Sequence, residues 1–337
     1  MTAIYENYES PWMDDELSIL RDAANRFFST EFVPHKDRWI EQGKVDRDAW
    51  NKAGEAGLLC AEIPAQYGGG GGDYRHETIV TEEQLGAGIS GFGNQVHSQI
   101  VAPYLLHYGN EEQKQKWLPK MATGEMVGAI AMTEPNTGSD LQNVKTSATK
   151  KGDSYVINGA KTYITNGIHA DLVVLVAKTD PNLGAKGISL IIVEANTKGF
   201  NKGRNLKKLG LNSGDTAELF FDDCVVPRAN LLGPKEGKGF IQLMQQLPQE
   251  RLSLAQGAVV ETERALAMTL DFVKQRKAFG QRILDFQNTK FKLAECKTEA
   301  LIGRTFVDQC LIKHLDGNLD SSTASVSYTH LTLPTKA

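Results

Sequence analysis

The chain has 337 residues, 41% hydrophobic and 23% charged, with a formal net charge of -4; this is the composition of an ordinary globular protein with room for two or three packed layers or domains. The acidic balance excludes a phosphate-neutralising surface, which needs clustered, uncompensated Lys and Arg, so no nucleic-acid partner is expected. Four cysteines (Cys60, Cys224, Cys296, Cys310) form no CxxC pair and seven histidines form no HExxH or HxxxH cluster, so neither a disulfide framework nor a metal site is expected.

The opening MTAIYENYESPWMDDE is acidic and lacks the apolar core of a secretory signal or the arginines of a transit peptide. No apolar run approaches the ~20 residues that cross a bilayer. A cytoplasmic protein without a membrane span is the expectation.

From residue 14 to 124 the pattern is helical. Leu17, Leu20, Ala24, Phe27 and Phe28 recur at three- and four-residue spacing, and further helical stretches follow at 47–59, 75–85, 95–108 and 111–122. At Met126 the period changes to short β-branched or aromatic runs, VGAIAMT, SYVINGAKTYITNG, DLVVLVAKT, GISLIIVEA and AELFFDDCVVP, separated by turn signals. Strands in succession without intervening helices predict an antiparallel sandwich or barrel. Helical periodicity returns over 239–279, interrupted by Pro248, and over 286–314, where such long helices pack as a bundle. The fold class is therefore α+β: an N-terminal helical domain (10–125), a central antiparallel β-sandwich or barrel (126–237) and an incomplete C-terminal helical bundle (238–325). The Thr-rich VSYTHLTLPTKA (326–337) shows no helical stripe and is expected to be a non-native tail, although SSTAS before it looks like the start of a helix.

Two glycine runs are decoys. The GxGxxG at 86–91 follows a charged helical run rather than a strand, so it ends a helix and binds no dinucleotide. Gly68 to Gly72 lack the lysine and hydroxyl of a phosphate loop and predict a flexible turn. More informative is MTEPNTGSD (132–140), which ends a strand and gathers hydroxyls and backbone N–H groups able to cradle an anionic ring edge, though a surface turn is the commoner meaning. In KTYITNG (161–167), Tyr163 either lies against a flat cofactor or packs in the sheet. LPQER (247–251) places Glu250 beside a kinking proline, where a carboxylate either faces a cavity or sits in solvent. KQRKAFGQRILDFQ (274–287) concentrates Lys274, Arg276, Lys277 and Arg282 around an aromatic-glycine break, a solvated helix end or a diphosphate contact.

These motifs, with IPAQYGGGGGDY (63–74), DTAELFFDDCVVP (215–227) and VKQRKAFG (273–280), stand in an order that resembles the acyl-CoA dehydrogenase family over residues 10–325, most like its long-chain branch. The resemblance implies FAD as cofactor, with Ile130, Met132, Thr133, Gly138 and Ser139 lining the isoalloxazine ring and Tyr163, Ile164 and Thr165 behind it. Many relatives carry Trp at the position of Tyr163. It implies that Arg276 and Gln287 hold the FAD of a neighbouring subunit in a homo-oligomer, a dimer or tetramer. Acyl-CoA would meet Ser139, Lys186, Pro248, Gln249 and Arg251.

The expected reaction takes a saturated acyl thioester to its trans-2-enoyl form, with electrons passing on to electron-transfer flavoprotein. In the long-chain and isovaleryl branches the base lies on the helix of LPQER, where Glu250 is the matching residue. By the same resemblance, the Gly-Gly loop that contacts the adenine of FAD and the last bundle helices are expected beyond residue 325 and outside this chain. An oxygen-using acyl-CoA oxidase, or a truncated chain that binds acyl-CoA or a partner without catalysis, would share the plan.

Overall fold

The computed structural model describes residues 4–5 and 8–331. In chain order its helices are α1 (Asp15–Phe27), α2 (Lys36–Gln42), α3 (Asp48–Glu55), α4 (Tyr74–Gly86), α5 (Ala102–Tyr108), α6 (Glu111–Ala122), α7 (Gly239–Gln275), α8 (Gln287–Leu315) and α9 (Ser321–Leu331). Its strands are β1 (Gly128–Ala131), β2 (Ser147–Lys151), β3 (Ser154–Thr165), β4 (Leu172–Lys178), β5 (Ile188–Glu194), β6 (Phe200–Asn205), β7 (Thr216–Pro227), β8 (Leu231–Leu232), β9 (Lys277–Ala278) and β10 (Gln281–Arg282). The expected α+β plan holds. Two compact units form, one of Ser29–Asp73 and Ile89–Leu247, the other of Met1–Phe28, Tyr74–Gly88 and Pro248–Ala337.

The first unit is built on an eight-stranded sheet of order β6-β7-β3-β2-β4-β5-β8, with β1 also on β4. The uninterrupted apolar run of β4 is explained by burial on both faces. Leu172, Val174 and Val176 join Tyr104, Leu105, Trp117, Leu118 and Met121 in one core, while Val173, Leu175 and Ala177 join Ile157, Leu219 and Phe221 in another. Pairing is mostly antiparallel, with a departure from the expected pattern: β1 and β2 both run parallel to β4. They lie end to end on its edge, because Ala131 is opposite Leu175 and Ser147 is opposite Lys178. Residues 132–146 are thus an excursion from one edge position. Helix α6 is tied to this sheet by its own cap: Asn110 and Gln113 form a reciprocal capping box, and the Gln113 amide also donates to the carbonyls of Ala229 and Leu231 at 2.7 and 2.9 Å.

The second unit packs α1, α4, α7 and α8 around Trp12, Leu17, Ile79, Leu252, Val259, Val307 and Leu311. At its centre the buried Arg304 guanidinium grips Glu263 with two bonds of 2.9 and 2.7 Å and also binds Glu82. Asp308, one helical turn on, accepts from Tyr8, Ser10 and Trp12 at 2.7, 2.8 and 2.9 Å.

Three expectations are corrected. Helix α7 runs without interruption through Pro248, which lacks the N–H for one intrahelical bond. Gly68 to Gly72 are no flexible turn: Gly70, Gly71 and Gly72 donate to the carbonyls of Cys60, Ile63 and Ala61 at 3.1, 2.9 and 3.0 Å. A Cβ on Gly69 would lie 2.2 Å from the Ile63 carbonyl oxygen, so glycine is required by close approach. The helix opened by SSTAS continues as α9 to Leu331, capped where Asp320 accepts from the Thr323 amide at 2.9 Å and burying Ala324 and Ser327. The remaining residues, 332–337, lie outside the described residues.

Candidate active site

In the sheet unit the excursion 132–146 carries most of the expected residues. Its first turn is closed by Glu134 and Thr137, which exchange backbone bonds of 2.8 and 3.1 Å. It is joined to β3 by the Thr162 amide, which donates to the Thr133 carbonyl at 2.9 Å. Ile130 and Met132 are half-buried against the first core, which leaves their outer sides at the turn. Gly138 and Ser139 are exposed, and a Cβ on Gly138 would meet nothing. Among the described residues the Thr133 hydroxyl has no hydrogen-bond partner.

Tyr163 sits in the left-handed region at φ 59 and is 69% exposed, while Ile164 beside it is buried and Thr165 half-buried. A non-glycine residue at such a φ costs on the order of 1–2 kcal/mol and persists only where its surroundings dictate it. Those surroundings are visible. The register between β3 and β7 slips between Lys161 and Ile164, so the backbone bulges at Tyr163. The next turn is fixed by Asp215, which accepts from the Ile168 and His169 amides at 2.8 and 2.7 Å, and by Asn166, whose amide donates to Gly93 and Gly128. Lys186 lies in a short 3-10 turn before β5 and is exposed.

In the helical unit Glu250 is half-buried on α7, flanked by buried Gln249 and half-buried Pro248 and Arg251. The same helix buries Ser253 and Gln256, the latter bonded to the Thr78 hydroxyl at 2.8 Å, so this stretch carries a polar face inside the unit. Arg251 donates to the Ser325 hydroxyl of α9 at 2.6 Å. Arg276 and Gln287 are exposed on either side of the β9–β10 hairpin. The tip of that hairpin is Phe279 and Gly280, both at positive φ as a two-residue turn of this kind demands, and Phe279 is 97% exposed. An apolar groove of about 650 Å³ lined by Ala258, Leu266, Leu293 and Cys296 lies further along α7 and contains none of the expected site residues.

Family models match end to end: acyl-CoA dehydrogenase N-terminal domain over residues 14–125, middle domain over 129–224 and C-terminal domain over 237–332. The chain belongs to the acyl-CoA dehydrogenase family. It is 48% identical over 314 residues to the mitochondrial long-chain specific acyl-CoA dehydrogenase of Sus scrofa, covering 93% of this chain and 73% of that one. It superposes on the acyl-CoA dehydrogenase of Geobacillus kaustophilus with a TM-score of 0.94 at 47% identity, over 96% of this chain and 86% of that one. A glutaryl-CoA dehydrogenase of Mycobacterium smegmatis, solved in complex with FADH2, matches at a TM-score of 0.87 and 26% identity over 95% and 81% of the two chains.

The family's reaction is FAD-dependent α,β-dehydrogenation of acyl-CoA thioesters, and the chain is an oxidoreductase of that class. Its residues fit a flavin: an exposed aromatic ring held out on constrained backbone, a half-buried Thr133 hydroxyl without a hydrogen-bond partner among the described residues, and an open approach over Gly138. Among the described residues no group of His, Cys, Asp or Glu forms a metal site, and no helix is long and apolar enough to cross a membrane.

Sequence reading passed over Lys161 and Glu134, a buried ion pair one or two residues from Thr133 and Tyr163. Both stand inside the quoted motifs. The signal was an acidic residue in the turn after β1 and a basic residue within β3, which normally means solvated side chains.

Proposed function

We propose that the turn 130–139 and the stretch 163–165 receive the isoalloxazine ring of FAD, and that Glu250 is the base that removes the α-proton of the acyl thioester. Bound FAD supplies the acceptor for the hydride that leaves the β-carbon. The observation that carries the reading is Tyr163, an aromatic ring exposed on a left-handed backbone beside the pinned turn. Thr133 offers its hydroxyl to the ring edge, with Ile130, Met132, Gly138 and Ser139 along the same turn and Ile164 and Thr165 behind it.

Glu250, half-buried among the polar side chains of α7, gains basicity when an acyl chain displaces water, since a desolvated carboxylate holds a proton more tightly. Pro248, Gln249, Arg251, Ser139 and Lys186 contact the acyl-CoA, with Arg251 near the CoA moiety and Lys186 meeting a CoA phosphate.

The chain works as a homo-oligomer, a dimer or tetramer, in which Arg276 and Gln287 reach a neighbour's FAD. The nearly bare Phe279, together with exposed Met268, Phe272, Phe291 and Ile302 on α7 and α8, supports such an interface. Electron-transfer flavoprotein takes the electrons. Four free thiols, three of them buried, fit a reducing compartment such as the cytoplasm.

The test is purification followed by a visible spectrum and anaerobic addition of straight and branched acyl-CoA thioesters. Oxidised flavin should co-purify or bind on addition, and a saturated thioester should bleach it. A protein that takes up no flavin, or whose flavin no acyl-CoA bleaches, sinks the reading. Turnover that consumes oxygen without a dye or carrier would reassign the chain to an oxidase.

A further inference from the structure

A buried ion pair of the sheet unit lies under the turn assigned to the flavin. The Lys161 side chain is fully buried and that of Glu134 is 5% exposed. Lys161 Nζ donates at 2.9 Å to the Met132 carbonyl and at 2.9 Å to Glu134 Oε1. The same carboxylate accepts from the Thr146 amide at 2.9 Å and the Lys145 amide at 2.6 Å, at the far end of the excursion. One carboxylate therefore closes the loop across its base, and one ammonium ties its first carbonyl to β3.

Two apolar residues of similar volume would fill this space without the cost of desolvating two charges, so packing alone does not account for the pair. What an apolar pair cannot do is fix a carbonyl and two amides in direction. We propose that Lys161 and Glu134 are positioning residues that lock the turn 132–137 onto β3, so that Thr133 and Tyr163 are held ready for the flavin; this rests on the flavin reading above. Burial pushes Lys161 down to about 8, with its attraction to Glu134 offsetting part of the effect. Burial alone would raise Glu134, but the Lys145 amide and the Lys161 ammonium hold it below the ordinary carboxylate value. At neutral pH the pair is ionised.

The experiment compares the parent with Glu134→Gln and the double variant Lys161→Met/Glu134→Gln. Each apoprotein is titrated with FAD by fluorescence quenching, the bound flavin's visible circular dichroism is recorded, and unfolding is followed in urea. The double variant, neutral and close in volume, should unfold cooperatively near the parent midpoint. It should bind FAD about 10- to 100-fold more weakly, as loss of one or two charge-assisted bonds implies, and show an altered visible dichroism. Parent-like FAD affinity and dichroism in the double variant would overturn the proposal and leave the pair a packing feature. If the double variant does not fold, Glu134→Gln decides by the same two readouts, since it keeps one acceptor oxygen and the side-chain shape. A parent that binds no FAD removes the flavin reading itself, an outcome distinct from a parent and variants that bind it equally.

Discussion

Residues 132–146 of the sheet unit and residues 248–251 of the helical unit both carry side chains assigned to the reaction, yet the first stretch is irregular backbone and the second is helix. Irregular backbone has no ladder to satisfy its polar groups, so the turn brings its own partners: Thr162 for the Thr133 carbonyl, Lys161 for that of Met132 and Glu134 for two amides. On α7 the backbone is satisfied by the helix itself, and Gln249, Ser253 and Gln256 are buried polar residues on the same stretch as the half-buried Glu250. The difference separates two kinds of sensitivity. On the proposed assignment a substitution in the turn moves geometry, and one at Glu250 removes chemistry from a scaffold that stays in place.

The sharpest way to break that contrast is Glu250→Gln. With the helix and its buried neighbours intact, FAD affinity and acyl-CoA binding should stay within about threefold while the rate of flavin bleaching falls roughly 10²- to 10⁴-fold, the range for loss of a general base. Stopped-flow bleaching measures it. Near-parental rates would move the base elsewhere and erase the chemical half of the comparison.

Next in size is Arg304→Met, which leaves the half-buried Glu82 and Glu263 and the buried Asp308 without their shared cation. Breaking such a hub should cost about 3–5 kcal/mol in urea unfolding. A loss below about 1 kcal/mol would mean that water compensates the carboxylates and that the hub does not organise this unit.

How much of this was legible differs between the two regions. The helices announced themselves by spacing, as Leu17, Leu20 and Ala24 did, and the strands by β-branched runs such as LVVLVAK. Glu250 is legible only through LPQER and its order among other motifs, because a helix position carries no local mark of catalysis. The end-to-end placing of β1 and β2 on β4 was not legible, since register depends on partners far along the chain. Nor was Lys161: lysine is among the least buried residue types, and nothing in period-2 alternation shows that one faces a carboxylate. Pro248 misled because a single missing hydrogen bond is tolerated within a helix packed over much of its length.

Acid sharpens the comparison on the sheet side. His97 is fully buried, its Nδ1 accepting from the Gly128 amide at 2.9 Å and its Nε2 within 3.1 Å of the Met121 carbonyl, at the point where β1 begins. Burial pushes it from the ordinary 6.5 down to about 4, the Met121 contact offsetting part. Between those two values the unfolded chain binds a proton that the folded chain refuses, so stability falls as pH drops from 6.5 to about 4 and is fully present above 6.5. The amount is on the order of 3 kcal/mol. Urea melts across that window should show the slope in the parent and a shallower one in His97→Gln; equal slopes would assign the acid sensitivity to other groups.

The smallest effect tests the outlier on which the flavin reading rests. Tyr163 is 69% exposed, so removing its ring costs little buried area, and its φ of 59 is one that glycine adopts without penalty. Tyr163→Ala keeps the strained backbone and loses the ring; Tyr163→Gly loses both. FAD should bind roughly 2- to 10-fold more weakly to either, since one aromatic stacking contact contributes about 0.5–1.5 kcal/mol. The apoproteins should diverge in the opposite sense, with Gly more stable than Ala by about 0.5–1 kcal/mol because relief of the left-handed strain outweighs the entropy that glycine adds to the unfolded chain. Equal stability of the two would show that the bulge opposite β7 sets this backbone at no cost. Unchanged FAD affinity would leave an exposed, constrained tyrosine with no role at the flavin and shift the weight of the site onto Thr133 and its turn.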